Sequence, residues 1–380
     1  MEHGVPKPEL GNEVRSFPWS VFRSRRCKSR AEPALQLSLR FAKDVILSSE
    51  FDSVLIVSFG GPEGPDDVLP FLENVLRGKS VPQQRMLEVV QHYQQFGGVS
   101  PINSQNRALI EALRQELDLH GINLPIYWGN RNWHPMLPDT LRQMAVDGRK
   151  RAIAFFTSMF SSYSGCRQYR ENIIAARETI GADAPVIEKV RMGFNHPSFV
   201  EVQIAVTQDA LQLLNASQRD QAKLLFTAHS IPTAMADRCQ YQSQLRETAR
   251  SVCAVLGRSD WELVFQSRSG PPHQPWLEPD ICARIEQLAS NNVPAIVIIP
   301  VGFVSDHIEV LFDLDTQAVQ LCQQLNLACV RAKTAGTHPA FVTMIRQLIE
   351  ERLAPSLPRP TVGIFPACPD ICPEDCCLPR

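Results

Sequence analysis

Apolar residues recur along this chain as short uninterrupted runs, each closed by Gly, Pro or Ser and followed by a longer amphipathic stretch. Short runs rich in Val, Ile and Phe predict strands, and apolar residues spaced three to four apart predict helices. The predicted strands are residues 53–58, 125–129, 151–157, 185–190, 223–229, 262–266, 293–301 and 327–331. The predicted helices are 106–119, 138–147, 165–179, 198–214, 242–256, 280–289, 306–325 and 339–353. Apolar strands alternating with helices signify parallel sheets covered on both faces. The expectation is an α/β protein of two similar doubly wound, Rossmann-like domains, each with a four-stranded parallel sheet.

The same pattern divides the chain. Residues 51–190 form the first expected α/β domain and 191–335 the second, with 336–354 a helix packing back on the fold. Residues 1–50 fall outside the pattern: between Arg15 and Lys43 lie eight Lys/Arg and one acid, Glu32, so a basic, poorly ordered arm is expected. Residues 355–380 form a cysteine-rich tail. At 44% hydrophobic and 21% charged, wholesale disorder is excluded. A net charge of −2 leaves no basic footprint for nucleic acid. No run reaches the roughly 18 apolar residues of a membrane span, so a soluble protein is expected.

Cysteine usage sharpens the picture. Four of the eleven cysteines, Cys368, Cys372, Cys376 and Cys377, fall at the extreme C-terminus. A secreted, disulfide-stapled domain spreads its thiols differently, so a reducing cytosol and a metal site at the tail are expected. Four thiolates suit either Zn2+ or an iron–sulfur cluster, and spacing alone leaves both open. Cys239, Cys253, Cys282, Cys322 and Cys329 lie within helix or strand patterns and read as ordinary buried thiols.

In open parallel sheets ligands bind beyond the carboxyl ends of the strands. The residues there are Phe59, Gly60 and Gly61, then Asn130, Arg131, Trp133 and His134, then His229, and finally Phe303 through Glu309. There is no GxGxxG and no GxxxxGK[ST], so a dinucleotide or P-loop phosphate cradle is excluded. Ser305 or Asp306 reads as a helix N-cap with His307 in the first turn. Glu309 and Asp313, four apart, share a helix face, with Asp315 beyond; such carboxylates can pass along a divalent cation while His229 supplies a base. Arg77, Tyr93, Ser100, Tyr163, Arg167, Tyr169 and Trp276 make a second set, donors for carboxylates and walls for a flat apolar ligand.

Five segments, in order, resemble the ferrochelatase family: Ser58-Phe-Gly-Gly-Pro62, Phe96-Gly-Gly-Val-Ser-Pro-Ile-Asn103, Phe226-Thr-Ala-His-Ser-Ile-Pro232, the stretch 261–280, and 300–315 with its Gly-Phe-x-Ser-Asp-His-Ile-Glu. The pattern is most similar to the bacterial branch that metallates coproporphyrin III and carries a [2Fe-2S] cluster. The resemblance implies the class II chelatase fold and insertion of Fe2+ into coproporphyrin III, with protoporphyrin IX as the alternative porphyrin. It implies His229 and Glu309 at the porphyrin centre, both able to contact the Fe2+ substrate, with His307 as partner of Glu309 and with Asp313 and Asp315 along the iron path. Phe303 and Trp276 are implied as pocket walls, and Ser100, Tyr169 and Arg77 as contacts to the porphyrin or its carboxylates. Phe59 stands where some relatives carry a tyrosine ligand, and Gln317 ends the acidic track early. Cys166 joins Cys372, Cys376 and Cys377 as implied cluster ligands, with Cys368 as competitor. Two other readings are a two-domain protein that binds porphyrin or metal without chemistry, and a cobalt or nickel chelatase on the same scaffold.

Overall fold

The computed structural model describes residues 50–78, 82–271 and 273–379; the basic arm, Lys79 and Pro272 lie outside them. Eight strands form where the apolar runs predict them: β1 Ser53–Ser58, β2 Ile126–Asn130, β3 Arg151–Phe156, β4 Val186–Lys189, β5 Lys223–His229, β6 Trp261–Gln266, β7 Ala295–Ile299 and β8 Ala328–Arg331. The longer helices are α1 Val68–Leu76, α2 Gln83–Gln94, α3 Ile102–Leu119, α4 Leu137–Val146, α5 Gln168–Ile180, α6 Pro197–Gln212, α7 Tyr241–Leu256, α8 Ile281–Ser290, α9 at 308–324 and α10 Pro339–Leu353. Two of them, α1 and α2, fall outside the predicted helices; α2 is mostly polar and exposed, which weakens its periodic signal.

Both sheets are parallel and repeat one order, β2-β1-β3-β4 and β6-β5-β7-β8. This is the class II chelatase fold, an α/β architecture of two doubly wound sheets. In each sheet the chain leaves the second strand in the order to one side and returns on the other. A crevice therefore opens beyond the carboxyl ends of β1 and β3, and again beyond those of β5 and β7. The residues that carry the chemistry sit at these two points.

Period-two alternation along each strand decides which residues face which layer. Leu55, Val57, Ala154 and Phe156 face a core under α4 and α5, and Leu225, Ile296 and Ile298 a core under α8 and α9. The opposite faces, with Val54, Ile56 and Phe155 from the first sheet and Leu224, Phe226 and Val297 from the second, enter one continuous core. Between them Phe341 of α10 meets Phe155 edge-on at 6.2 Å and Phe199 of α6 at 6.3 Å. Full burial of each such side chain is worth about 1.5–3 kcal/mol, so α10 is held chiefly by its apolar face. Polar contacts fix its register: Arg191 Nε donates to Glu351 Oε2 at 2.7 Å, and Arg346 Nε to Glu116 Oε1 at 2.8 Å.

Two glycines let strand ends approach their neighbours. Gly60 has φ +82°, and a Cβ there would lie 2.8 Å from Asn130 Cβ. A Cβ on Gly302 would lie 2.5 Å from Ala228 Cβ, so the turn after β7 closes directly against β5 just before His229.

Candidate active site

His229 is the last residue of β5, half-buried and in register with Gln266 of β6. Its Nδ1 bonds the Ser230 carbonyl, which can only accept, so Nδ1 carries a proton and in the neutral ring the lone pair sits on Nε2. Nε2 faces Glu309 Oε2 at 3.7 Å. Tyr241 hydroxyl donates to the His229 carbonyl at 3.1 Å, securing the strand end.

Glu309 begins α9, and the cap of that helix differs from its sequence reading. His307 itself is the N-cap: its Nδ1 accepts the Glu309 N–H at 3.2 Å. Asp306 is unavailable for that task because its carboxylate takes Arg331 Nη1 at 3.1 Å and Gln105 Nε2 at 3.4 Å. His307 Nδ1 also lies 4.0 Å from Glu309 Oε2, and its ring stands edge-on to Phe303 at 5.0 Å. Burial holds His307 below the ordinary histidine range, against the pull of the Glu309 charge, which raises it.

From Leu311 to Ala318 helix α9 widens into a π-helix, a geometry common at functional sites. Asp313 lies on that turn and accepts the Ser267 hydroxyl. Burial pushes its carboxyl up to about 6, and the charge of Glu309 adds to the rise. Asp315 points elsewhere, clamped by Arg331 Nε and Nη2 at 2.5 and 2.8 Å. The acidic group next to the pair is therefore Asp313, while the charge of Asp315 is already compensated.

The first sheet supplies the opposite side. Phe59, Trp133, Phe96 and Tyr93 pack with Phe71 in one apolar cluster that also takes in Ile308 and Phe312 of α9. Phe59 meets Phe71 edge-on at 6.2 Å. His92 stacks on Phe312 with centroids 3.7 Å apart. Burial and the charge of Glu309 push the Tyr93 phenol well above its usual range, so it stays neutral. Asp306 N–H donates to Gln105 Oε1 at 2.8 Å across the same junction. The histidine–glutamate pair is thus flanked by the aromatic corner of the first sheet.

The remaining predicted residues are distributed around this centre. Ser100 is buried and donates its N–H to Pro62 O at 2.8 Å, directly behind the β1 turn. Trp276 is half-buried, and its neighbour Leu277 binds Ile231 O at 3.0 Å, next to His229. Tyr169 is buried, stacked on Phe156 at 5.1 Å and covered by the Arg131 guanidinium 4.6 Å above its ring. Arg77 caps the end of α1 in an exposed position, where it donates to Asn74.

A separate group of thiols lies where the tail crosses the first sheet. Cys166, on the π-helical turn Tyr163–Arg167, donates to Cys372, and Cys376 and Cys377 lie 3.5 Å apart. The Cys166 thiol, with Lys189, Cys376 and Arg170, holds Cys372 down to about 5. Cys368 stands beside Gln244 Nε2 at 3.8 Å, within the field of Cys372 and Cys376. Cys239, read as an ordinary thiol, in fact neighbours Cys376 and Cys377; nothing in its local sequence signals this. Among the described residues no three His, Cys, Asp or Glu side chains are set to hold a single metal ion. The thiols thus lie as two pairs, Cys166 with Cys372 and Cys376 with Cys377.

With this geometry in place, comparison with known proteins is decisive. Residues 52–353 match the ferrochelatase family profile. The chain belongs to the ferrochelatase family. It is 60% identical over 329 residues to a ferrochelatase of Rhodopirellula baltica, spanning 86% of this chain and 93% of that one. It is 48% identical over 359 residues to the coproporphyrin III ferrochelatase of Streptomyces coelicolor, spanning 89% and 96%. Among solved structures, SirB from Bacillus subtilis with Fe3+ shares the fold at a TM-score of 0.51 and 10% identity, over 80% of this chain and 96% of that one. No helix among the described residues is long and apolar enough to cross a membrane.

Proposed function

We propose that the chain inserts Fe2+ into coproporphyrin III to give Fe-coproporphyrin III. The observation that carries this is the pairing of a free His229 Nε2 lone pair with the Glu309 carboxylate at 3.7 Å, beside the aromatic corner of the first sheet. Metallation exchanges two pyrrole N–H protons for one Fe2+, so the site needs a base and an oxygen ligand within reach of one point. The neutral imidazole of His229 accepts the first proton; Glu309 offers iron an oxygen and takes up the second. His307, capping the helix start, orients Glu309. Asp313 is the next oxygen along the proposed iron path, with Asp315 behind it under Arg331. Phe59, Phe303 and Trp276 provide apolar surface for the macrocycle, and Ser100, Tyr169 and Arg77 stay as proposed contacts around it. The porphyrin assignment follows the Streptomyces coelicolor relative, whose match spans most of both chains.

We further propose that Cys166, Cys372, Cys376 and Cys377 hold a [2Fe-2S] cluster, with Cys368 and Cys239 as adjacent thiols. Such a cluster, when bound, accepts or gives one electron and ties its ligands together. Its place behind β3, under the tail, suits a structural or sensing part. All ten described cysteines are free thiols, which supports a reducing, cytoplasmic setting.

Anaerobic absorbance with Fe2+ tests the activity: turnover is expected with coproporphyrin III, and more slowly with protoporphyrin IX. Co2+ and Ni2+ in parallel reveal metal preference. His229→Ala is expected to lower kcat roughly 10²–10⁴-fold, the usual worth of a positioned base, and Glu309→Gln to raise the KM for Fe2+ more than that for the porphyrin. Wild-type protein that binds porphyrin yet metallates none would overturn the enzyme reading.

A further inference from the structure

Arg131 follows β2 directly and stands at the carboxyl end of the first sheet, held there by its N–H on Ser58 O at 3.0 Å. Its guanidinium lies 5.7 Å from the Phe59 ring centroid and 4.6 Å from that of Tyr169. Nε donates to Asn172 Oδ1 at 2.7 Å and Nη1 to the Ser164 carbonyl at 3.4 Å. Every one of these partners is neutral. Two half-buried arginines at the ends of the second sheet are by contrast matched to acids, Arg331 to Asp315 and Asp306 and Arg284 to Glu262, while others such as Arg170 and Arg258 are spent on backbone carbonyls away from the strand-end crevice. A half-buried cation braced by neutral groups at a ligand crevice has its geometry fixed and its charge uncompensated, the condition of an anion receptor.

The surroundings define the anion. Phe59 beside the guanidinium offers apolar surface, so the ligand is flat and apolar with an acidic substituent. Tyr169 is 5% exposed beneath the guanidinium, and Arg131 supplies the charge at this corner. We infer that Arg131 receives a carboxylate of the porphyrin, its planar fork bonding both oxygens while the macrocycle lies toward Phe59. The inference rests on the porphyrin-metallation reading above and adds a specificity-determining residue to it. Ser164, one of its braces, lies two residues before Cys166, so the thiol-bearing turn also sets the position of the receptor.

The test uses the full-length protein carrying Arg131→Met, Arg131→Lys or neither. Porphyrin fluorescence quenching gives Kd and the insertion assay gives KM and kcat, each with coproporphyrin III at two ionic strengths. A lost charged hydrogen bond is expected to raise Kd and KM roughly 10- to 100-fold in Arg131→Met. The loss should fall on KM more than on kcat, with a weaker salt dependence than wild type. Arg131→Lys retains a point charge without the fork and should lie between the two. It also decides the matter if the methionine variant does not fold: an intermediate KM supports the assignment and a wild-type KM overturns it. Wild-type KM and salt slope in Arg131→Met likewise overturn it, as does a loss confined to kcat. If wild-type protein itself metallates no porphyrin, the function falls; if wild type turns over and both variants match it, only the role of Arg131 falls.

Discussion

A neutral imidazole aims its basic nitrogen at one place when its other nitrogen is held by a hydrogen bond, and the Ser230 carbonyl does this for His229. A different histidine bears on acid stability. His196 is buried, its Nδ1 accepts the Ser198 N–H at 3.2 Å as the cap of α6, and its Nε2 has no partner among the described residues. Burial, with the charge of Arg191, pushes it down to about 3. Its folded value lies below its unfolded one, so the unfolded chain binds the proton first. The stability it supports is therefore present above about pH 6.5 and falls as pH drops from there toward 3. Between pH 6.5 and 4.5 the loss is about 2–3 kcal/mol at roughly 1.4 kcal/mol per pH unit. His196→Asn keeps a cap acceptor without the titration, and urea melts across that range should show a flatter acid limb. An unchanged limb would place the acid sensitivity elsewhere.

Among the elements, α9 and α10 teach the most. The strand runs were legible because period and composition are local properties: β1 and β5 form over the residues predicted, and the others shift by a residue or two. The amphipathic stretch at 306–325 was equally legible as a helix, but its π-helical turn was not, since the register of backbone hydrogen bonds leaves no mark in apolar spacing. Nor was the role of His307 as cap, because that depended on Arg331 and Gln105 engaging Asp306 from distant elements. Helix α10 docks through a buried pair in which Arg191 has 0% and Glu351 4% side-chain exposure. Glu351→Gln leaves Arg191 buried without its counter-charge and should cost about 3–5 kcal/mol of unfolding free energy. Replacing both partners with Met and Leu should recover much of that, since paired burial of charge adds little net stability. Equal losses in the single and double variants would mean that packing alone seats the helix.

At the scale of the whole molecule, the tail from Val362 to Cys377 is strapped across the fold by side chains far from it in sequence. Asn195 donates to Phe365 O at 2.9 Å, Arg167 to Cys376 O at 3.0 Å and Arg170 to Cys372 O at 3.3 Å. These straps set the tail thiols beside Cys166. The proposed cluster predicts visible charge-transfer bands in anaerobically purified protein, lost in Cys376→Ser and Cys377→Ser. It also predicts faster proteolysis of the tail in both variants. A colourless wild-type protein containing zinc would remove the cluster from the account.

The chain by itself determined its strands, most of its helices, its parallel sheets and the residues placed at strand ends. All of these follow from periodicities and punctuation that act over a few residues. Only the tertiary structure decided that the inner faces of both sheets share one core, where the sequence pattern alone leads to the expectation of two units, 51–190 and 191–335. It alone set His229 against Glu309, freed Asp313 while compensating Asp315, and covered Tyr169 with Arg131. The reason is physical: a side chain's charge state and reach depend on which partners claim it, and here those partners arrive from other strands and helices, as Gln105 reaches Asp306 from 201 residues away.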